Sequence, residues 1–300
     1  MKGINVLKKV KKSENALKNR RRGPVEKTIF VIAFIVFALY AFLMMYAFFW
    51  IVVSSFKSNQ EYFASAVKLP SVWKIQNYFE AYRVLEYNGT NFIGMTFNSI
   101  WYSLGSSVLH ILSCSVTGYV FAKYEFKGKK AIMSVAIFAM VVPIIGGLPA
   151  QYKMMYDLNL VNSPLVLISA LGGFGMHFII LRSFFKNLSW SYAEAAFMDG
   201  GTNVGVFFKI MLPLAKGPVL ALGIRVFIQY WNDYYTPLLF LDQLPPLATG
   251  LFYYRKELDF VSNEPVYFAG IVMSSIPVLI LFAFFSEKIM ENVVAGGLKG

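Results

Sequence analysis

Few side chains in this 300-residue sequence are equipped for chemistry, and they fall into two groups. The first is the run Glu194-Ala195-Ala196-Phe197-Met198-Asp199-Gly200-Gly201, which sets two carboxylates and two alanines between long apolar stretches. An acid-bearing helix that short cannot cross a bilayer, so it reads as a surface for another protein to grip. The second group comprises Asn98, His110, Arg225, Gln229, Asn232 and Asp233, polar residues within or at the ends of apolar stretches. Such groups are costly in hydrocarbon and commonly functional. Tyr230, Trp231, Asn232 and Asp233 combine rings with hydrogen-bonding groups, which suits the faces and hydroxyls of sugars. An aromatic belt at the membrane interface explains the same residues. Arg225, deeper in its stretch, either faces a cavity and favours acidic saccharides there, or pairs with a carboxylate of a partner chain.

Other chemistries find no residues. His110 and His177 have no second ligand at helical spacing, so neither is assigned to a metal and both are expected to pack or hydrogen-bond. Cys114, the one cysteine, stands between Ser113 and Ser115 in an apolar run, which excludes an intrachain disulfide and points to a structural role. No glycine-rich phosphate loop ending in Lys and Ser or Thr occurs, so ATP hydrolysis would belong to a partner chain. No nucleophile, base and orienting group are arranged for intramembrane catalysis.

The elements that must hold these residues are membrane spans. The chain is 57% hydrophobic, 17% aromatic and 15% charged, a composition foreign to soluble domains. Six stretches are long enough to cross a bilayer: 28–53, 97–122, 131–154, 163–185, 206–231 and 266–286. The first is too long for the apolar region of a signal peptide and is read as retained. Pro143, Gly146, Gly147 and Pro149 break the third span, Gly172, Gly173 and Gly175 thin the fourth, and Pro213 and Pro218 kink the start of the fifth. Broken helices survive in membranes where neighbours or a cavity satisfy the freed backbone, so these positions either line a path or mark close packing. The long loop 54–96 carries interfacial rings, and its Asn88-Gly89-Thr90 matches a glycosylation acceptor pattern. No internal repeat is evident.

The net charge of +12 follows membrane orientation. With the amino terminus inside, 20 of the 28 Lys and Arg fall on the cytoplasmic side and 9 of the 16 acids outside. The positive-inside rule then places both termini in the cytoplasm, and nucleic acid is not needed to explain the basicity. The tail 1–27, with Lys8-Lys9-Val10-Lys11-Lys12 and Arg20-Arg21-Arg22, either hugs anionic headgroups or stays solvated.

Between the fourth and fifth spans, residues 186–203 lose hydrophobicity on the side the charges place in the cytoplasm. Ser189 or Ser191 can cap a helix there, Glu194 complements the helix dipole, the alanines favour helix, and Gly200 and Gly201 stop it. A two- to three-turn helix and a turn within 189–203 follow, then re-entry into the bilayer. The spacing Glu194-Ala195-Ala196, three residues, Gly200, nine residues, Ile210, one residue, Leu212-Pro213 resembles the EAA motif of the membrane subunits of bacterial ABC importers. Asp199, Phe207, Leu214 and Pro218 fit the fuller pattern, while Gly201 stands where alanine is commoner and implies a looser turn. Residues 143–167, Trp231-Asn232-Asp233 and Gly296-Gly297-Leu298-Lys299-Gly300 resemble MalG-like carbohydrate permeases.

The resemblance implies an all-α integral membrane protein of six transmembrane helices with the type I ABC importer (MetI-like) permease fold, occupying 28–300. It implies a second homologous permease, two ATP-binding subunits holding ATP and magnesium, an extracytoplasmic solute-binding protein and a carbohydrate substrate, in a bacterial plasma membrane. Glu194, Ala195, Ala196, Asp199 and Gly200 would couple to the ATPase. Asn98, Arg225, Tyr230, Trp231, Asn232 and Asp233 are the candidates for the substrate path. An ion-coupled secondary transporter is the alternative; it needs acidic groups buried in mid-span, and the six spans contain none.

Overall fold

The computed structural model describes residues 23–142, 147–257 and 263–297, with residues 257 and 287–297 described as backbone only. The basic tail up to residue 22, Pro143 and Gly146 of the expected break, and Leu298-Lys299-Gly300 lie outside the described residues. The chain divides at Val53 into two units.

The first unit ends at Val53 and, among the described residues, consists of α1 (Pro24–Ser55) up to that point. It is apolar on every side, with Ile29, Phe34, Phe37, Phe42 and Met45 all more than half exposed. A helix of that kind belongs in lipid or among other membrane helices. At about 1.5 Å per residue it exceeds the thickness of a hydrocarbon core.

The second unit opens with a folded loop. The α2 helix (Asn59–Ala64) starts with a complete capping box, Ser58 accepting from the Glu61 amide while Glu61 accepts from the Ser58 amide. Lys57 is buried, its Nζ donating to the carbonyls of Ser65 at 3.2 Å and Ala66 at 2.7 Å. Asn77, in α3 (Gln76–Val84), donates to Ser55 O at 2.7 Å and Lys57 O at 2.8 Å. The Asn88-Gly89 pair is a tight turn with φ of 47° and 74°, closed by the Tyr87–Thr90 bridge. Asn88 is therefore a turn residue, and its Nδ2 is engaged with Asp242 O at 3.0 Å.

The central element is α4 (Phe92–Lys123). Its small residues let neighbours approach: a Cβ on Gly118 would stand 3.1 Å from the Arg182 amide nitrogen. Beyond it the expected third span is two helices, α5 (Lys129–Val141) and α6 (Leu148–Asp157). The fourth is a 3-10 segment (Pro164–Ala170) and α7 (Met176–Asn187). After α8 (Ser191–Met198), the expected fifth span divides into α9 (Asn203–Leu214) and α10 (Lys216–Trp231), bent by 81°. Pro213 and Pro218 withdraw two amide donors on either side of Ala215, which accounts for a bend at that point. Then come α11 (Tyr235–Phe240), α12 (Leu247–Glu257) and α13 (Glu264–Gly297). Among the described residues, three helices are individually long and apolar enough to cross a membrane, and the bent pair makes a fourth.

Two of the buried clusters matter most for function. One joins Tyr119 and Phe121 of α4, Phe178, Leu181 and Phe185 of α7, Ala193 of α8, and Phe207, Met211 and Ala215 at the bend. The other joins Met95, Trp231, Leu247 and Val266 at the opposite end of α4.

Candidate functional site

The acid-bearing helix α8 is short, but it is built to be rigid. Its N-cap is Trp190, without a side-chain cap, so neither Ser189 nor Ser191 does what the sequence predicts. Ser189 sits one residue too early and Ser191 is already helical. Their hydroxyls pair at 2.7 Å, and Ser189 Oγ accepts the Ser191 amide at 3.3 Å. The other end follows expectation. Gly200 turns with φ of +83°, its amide donating to Phe197 O at 3.0 Å, and the Gly201 amide donates to Ala196 O at 2.8 Å. This pair of bonds is the Schellman closure. A Cβ on Gly201 would lie 2.7 Å from Ala196 O, so the turn is tight rather than looser as expected.

One side of α8 is anchored and the other is free. Ala193 is fully buried in the cluster that contains the bend, and the Trp190 ring packs on Tyr124 at 5.9 Å. Lys123 Nζ donates to Leu188 O at 2.5 Å and Tyr124 OH donates to Asn203 Oδ1 at 3.1 Å, fixing the segments that enter and leave. Tyr192, Glu194, Ala195, Met198, Asp199 and Gly200 are exposed. Neither Glu194 nor Asp199 has an ion-pair partner among the described residues.

The candidate path residues separate into buried and open ones. Asn98 is buried, donating to Pro245 O at 3.2 Å and accepting from Trp101 Nε1 at 3.0 Å. Trp231 is buried and donates to Ser274 O at 3.1 Å. Asp233 accepts Tyr102 OH at 3.0 Å on one oxygen and the amides of Tyr235 and Thr236, at 3.0 and 3.1 Å, on the other, so it ties down the first turn of α11. Tyr230 is half-buried, edge-on to Tyr102 at 5.8 Å and to His110 at 6.4 Å. Arg225 and Asn232 are exposed, and so is Gln229 between them. These three are spaced i, i+4 and i+7, which puts them on one face of α10.

The histidines, which have no second ligand at helical spacing in the sequence, hydrogen-bond to each other across the fold. His110 Nε2 and His177 Nδ1 are 3.1 Å apart, and His177 Nε2 is 3.2 Å from Arg225 Nη1. His110 Nδ1 reaches Ala170 O at 3.2 Å, Cys114 donates to Gly172 O at 2.9 Å and Thr117 to Gly173 O at 2.5 Å. Side chains of α4 thus satisfy the carbonyls left open where the fourth span breaks, and that break is closely packed.

Residues 114–289 match the family model described as "Binding-protein-dependent transport system inner membrane component". The chain belongs to this family. The permease is 30% identical over 252 residues, 82% of each chain, to the diacetylchitobiose uptake system permease protein NgcG of Streptomyces coelicolor. It is 27% identical over 284 residues to the arabinooligosaccharides transport system permease protein AraQ of Halalkalibacterium halodurans, covering 94% of this chain and 99% of that one. A bacterial ABC transporter involved in the import of the acidic polysaccharide alginate contains a chain of the same fold, with a TM-score of 0.74 at 21% identity, covering 90% of this chain and 99% of that chain. The permease is a transport subunit of the bacterial inner membrane with the ABC importer permease fold, and ATP hydrolysis belongs to partner subunits. The matched region holds α8, the bend and α10; Asn98 lies outside it.

Proposed function

We propose that this permease forms half of the membrane path of an ATP-driven carbohydrate importer and that α8 is the helix through which the ATPase drives it. The observation that carries the coupling role is the double character of α8, which presents Glu194 and Asp199 outward while Ala193 is rooted beside Phe207, Met211 and Ala215 at the bend into α10. A push on the exposed face reaches α10 through close-packed side chains, which transmit displacement rather than absorb it. The relatives support the cargo class: their names specify diacetylchitobiose, arabinooligosaccharides and sulfoquinovosyl glycerol.

In this reading the complete importer contains a second homologous permease, two ATP-binding subunits carrying ATP and magnesium, and an extracytoplasmic solute-binding protein. This chain itself needs no cofactor, and both of its termini lie in the cytoplasm. No observation favours ion-coupled secondary transport, since α4, α5, α7 and α10 contain neither Asp nor Glu. Glu194→Lys in the reconstituted importer is expected to abolish ATP-dependent saccharide uptake while the binding protein keeps its affinity. Wild-type uptake by that variant would remove α8 from the coupling role.

A further inference from the structure

Arg225 is a charge in the middle of an apolar helix, and the described residues hold no carboxylate for it. None of α4, α5, α7 and α10 contains an acid, and Asp233 spends both oxygens on Tyr102 and on the start of α11. The guanidinium is nevertheless held in place. An arginine only donates, so Arg225 Nη1 gives its hydrogen to His177 Nε2. His177 must then carry its proton on Nδ1, which donates to His110 Nε2. His110 in turn carries its proton on Nδ1 and donates to Ala170 O. The carbonyl at the far end can only accept and so requires the same assignment independently. Both imidazoles are neutral in this chain of bonds, and the positive charge is concentrated at its exposed end.

The surroundings of that end are polar in one direction only. Gln229 and Asn232 continue from Arg225 along the same exposed face of α10, while Ile224, Val226 and Trp231 are buried on other faces. A face of Arg, Gln and Asn does not lie against lipid. It presents one cation and two amides in a row, the groups that would hold a carboxylate and neighbouring hydroxyls; Asn232 Nδ2 spends one hydrogen on Ile228 O at 2.8 Å, which leaves its second hydrogen and its Oδ1 for a ligand.

We propose that the Arg225–Gln229–Asn232 face of α10 is a cargo-binding strip selective for saccharides that bear a carboxylate, with His177 and His110 as positioning residues for the guanidinium. This rests on the carbohydrate-permease reading and adds the charge of the cargo. Guanidinium and carboxylate meet in two parallel hydrogen bonds, a match that a neutral sugar cannot offer.

The test uses the whole importer complex purified into nanodiscs, with equilibrium binding of labelled trigalacturonate and of neutral galactotriose. Trigalacturonate is expected to bind at least about tenfold more tightly, a typical margin for a charge-assisted contact. Arg225→Gln should bring trigalacturonate to the galactotriose level and leave galactotriose within about twofold; Arg225→Lys should keep part of the preference. His177→Ala should weaken trigalacturonate several-fold without affecting galactotriose, which a general loss of fold would not do. Equal loss of both probes in Arg225→Gln, or no preference in the wild type, overturns the proposal. So does loss of the second permease from the Arg225→Gln complex on size exclusion, which would assign the guanidinium to a carboxylate of that subunit. A wild type that imports neutral saccharides through its binding protein but shows no uronate preference sinks this inference and leaves the permease reading standing. No saccharide import at all sinks both.

Discussion

Gly201 shows how much can rest on one missing methyl. Its amide closes α8 onto Ala196 O, and a Cβ there would press on that oxygen at 2.7 Å. Because the contact is backbone, no side chain can swing away. Gly201→Ala is expected to cost about 1–3 kcal/mol, the usual range for overpacking a tight site. The cost should appear as a lower Tm of the purified importer and as reduced uptake; wild-type values for both would mean the turn relaxes freely. Tyr102 offers a second test at this scale. It is buried and donates to the Asp233 carboxylate at 3.0 Å, so Tyr102→Phe removes a charge-assisted bond worth about 1.5–3 kcal/mol while keeping the ring. Asp233 keeps its two amide partners in that variant. We therefore expect loss of stability with saccharide affinity unchanged, and an affinity change larger than the stability change would return Asp233 to the cargo path.

The elements differ in how far the sequence announces them. The end of α8 is legible because a glycine at C′ and the bonds it makes are local, all within five residues. Its start misleads because two serines compete for one cap position and the helix begins at the second. The bend between α9 and α10 is written in Pro213 and Pro218, but prolines give the place of a bend and not its 81°. What the sequence hides is contact across distance: His110 meets His177 across 67 positions and Asn98 meets Pro245 across 147, with no periodicity to link them. The loop element containing α2 carries a pH signature. The Ser71 and Ser58 amides donating to Glu61 hold its carboxyl below the ordinary glutamate range. A depressed carboxyl stabilises the fold above its unfolded pKa of about 4.3, and that contribution is lost as pH falls through the still lower folded value. Hydrogen exchange at the Ser71 amide, corrected for intrinsic rates, should stay slow at neutral pH and quicken below about pH 4. Glu61→Gln should quicken it already at neutral pH, and unchanged protection in both experiments would remove Glu61 as the clamp.

At the scale of the whole permease, the question is how a push on a helix of eight residues moves a membrane path. The second unit supplies one continuous route: Ala193 of α8 lies in the same buried cluster as Phe207, Met211 and Ala215, and α10 starts at the residue after Ala215. The exposed strip Arg225–Gln229–Asn232 occupies the far half of that same α10 and its C-cap. In the proposed reading the coupling surface and the cargo face are two ends of one connection, and Ala193 is the point at which α8 enters it. Ala193 has no exposure. Ala193→Leu should lift α8 from its bed at a cost of about 1–3 kcal/mol, a loss the rest of the cluster can tolerate. If the route is mechanical, the importer still assembles, basal ATP hydrolysis persists, and stimulation by the loaded binding protein disappears together with uptake. Ala193→Ser, which barely changes volume, should restore both. An Ala193→Leu complex that keeps stimulated hydrolysis in step with uptake would show that the drive reaches α10 by another route.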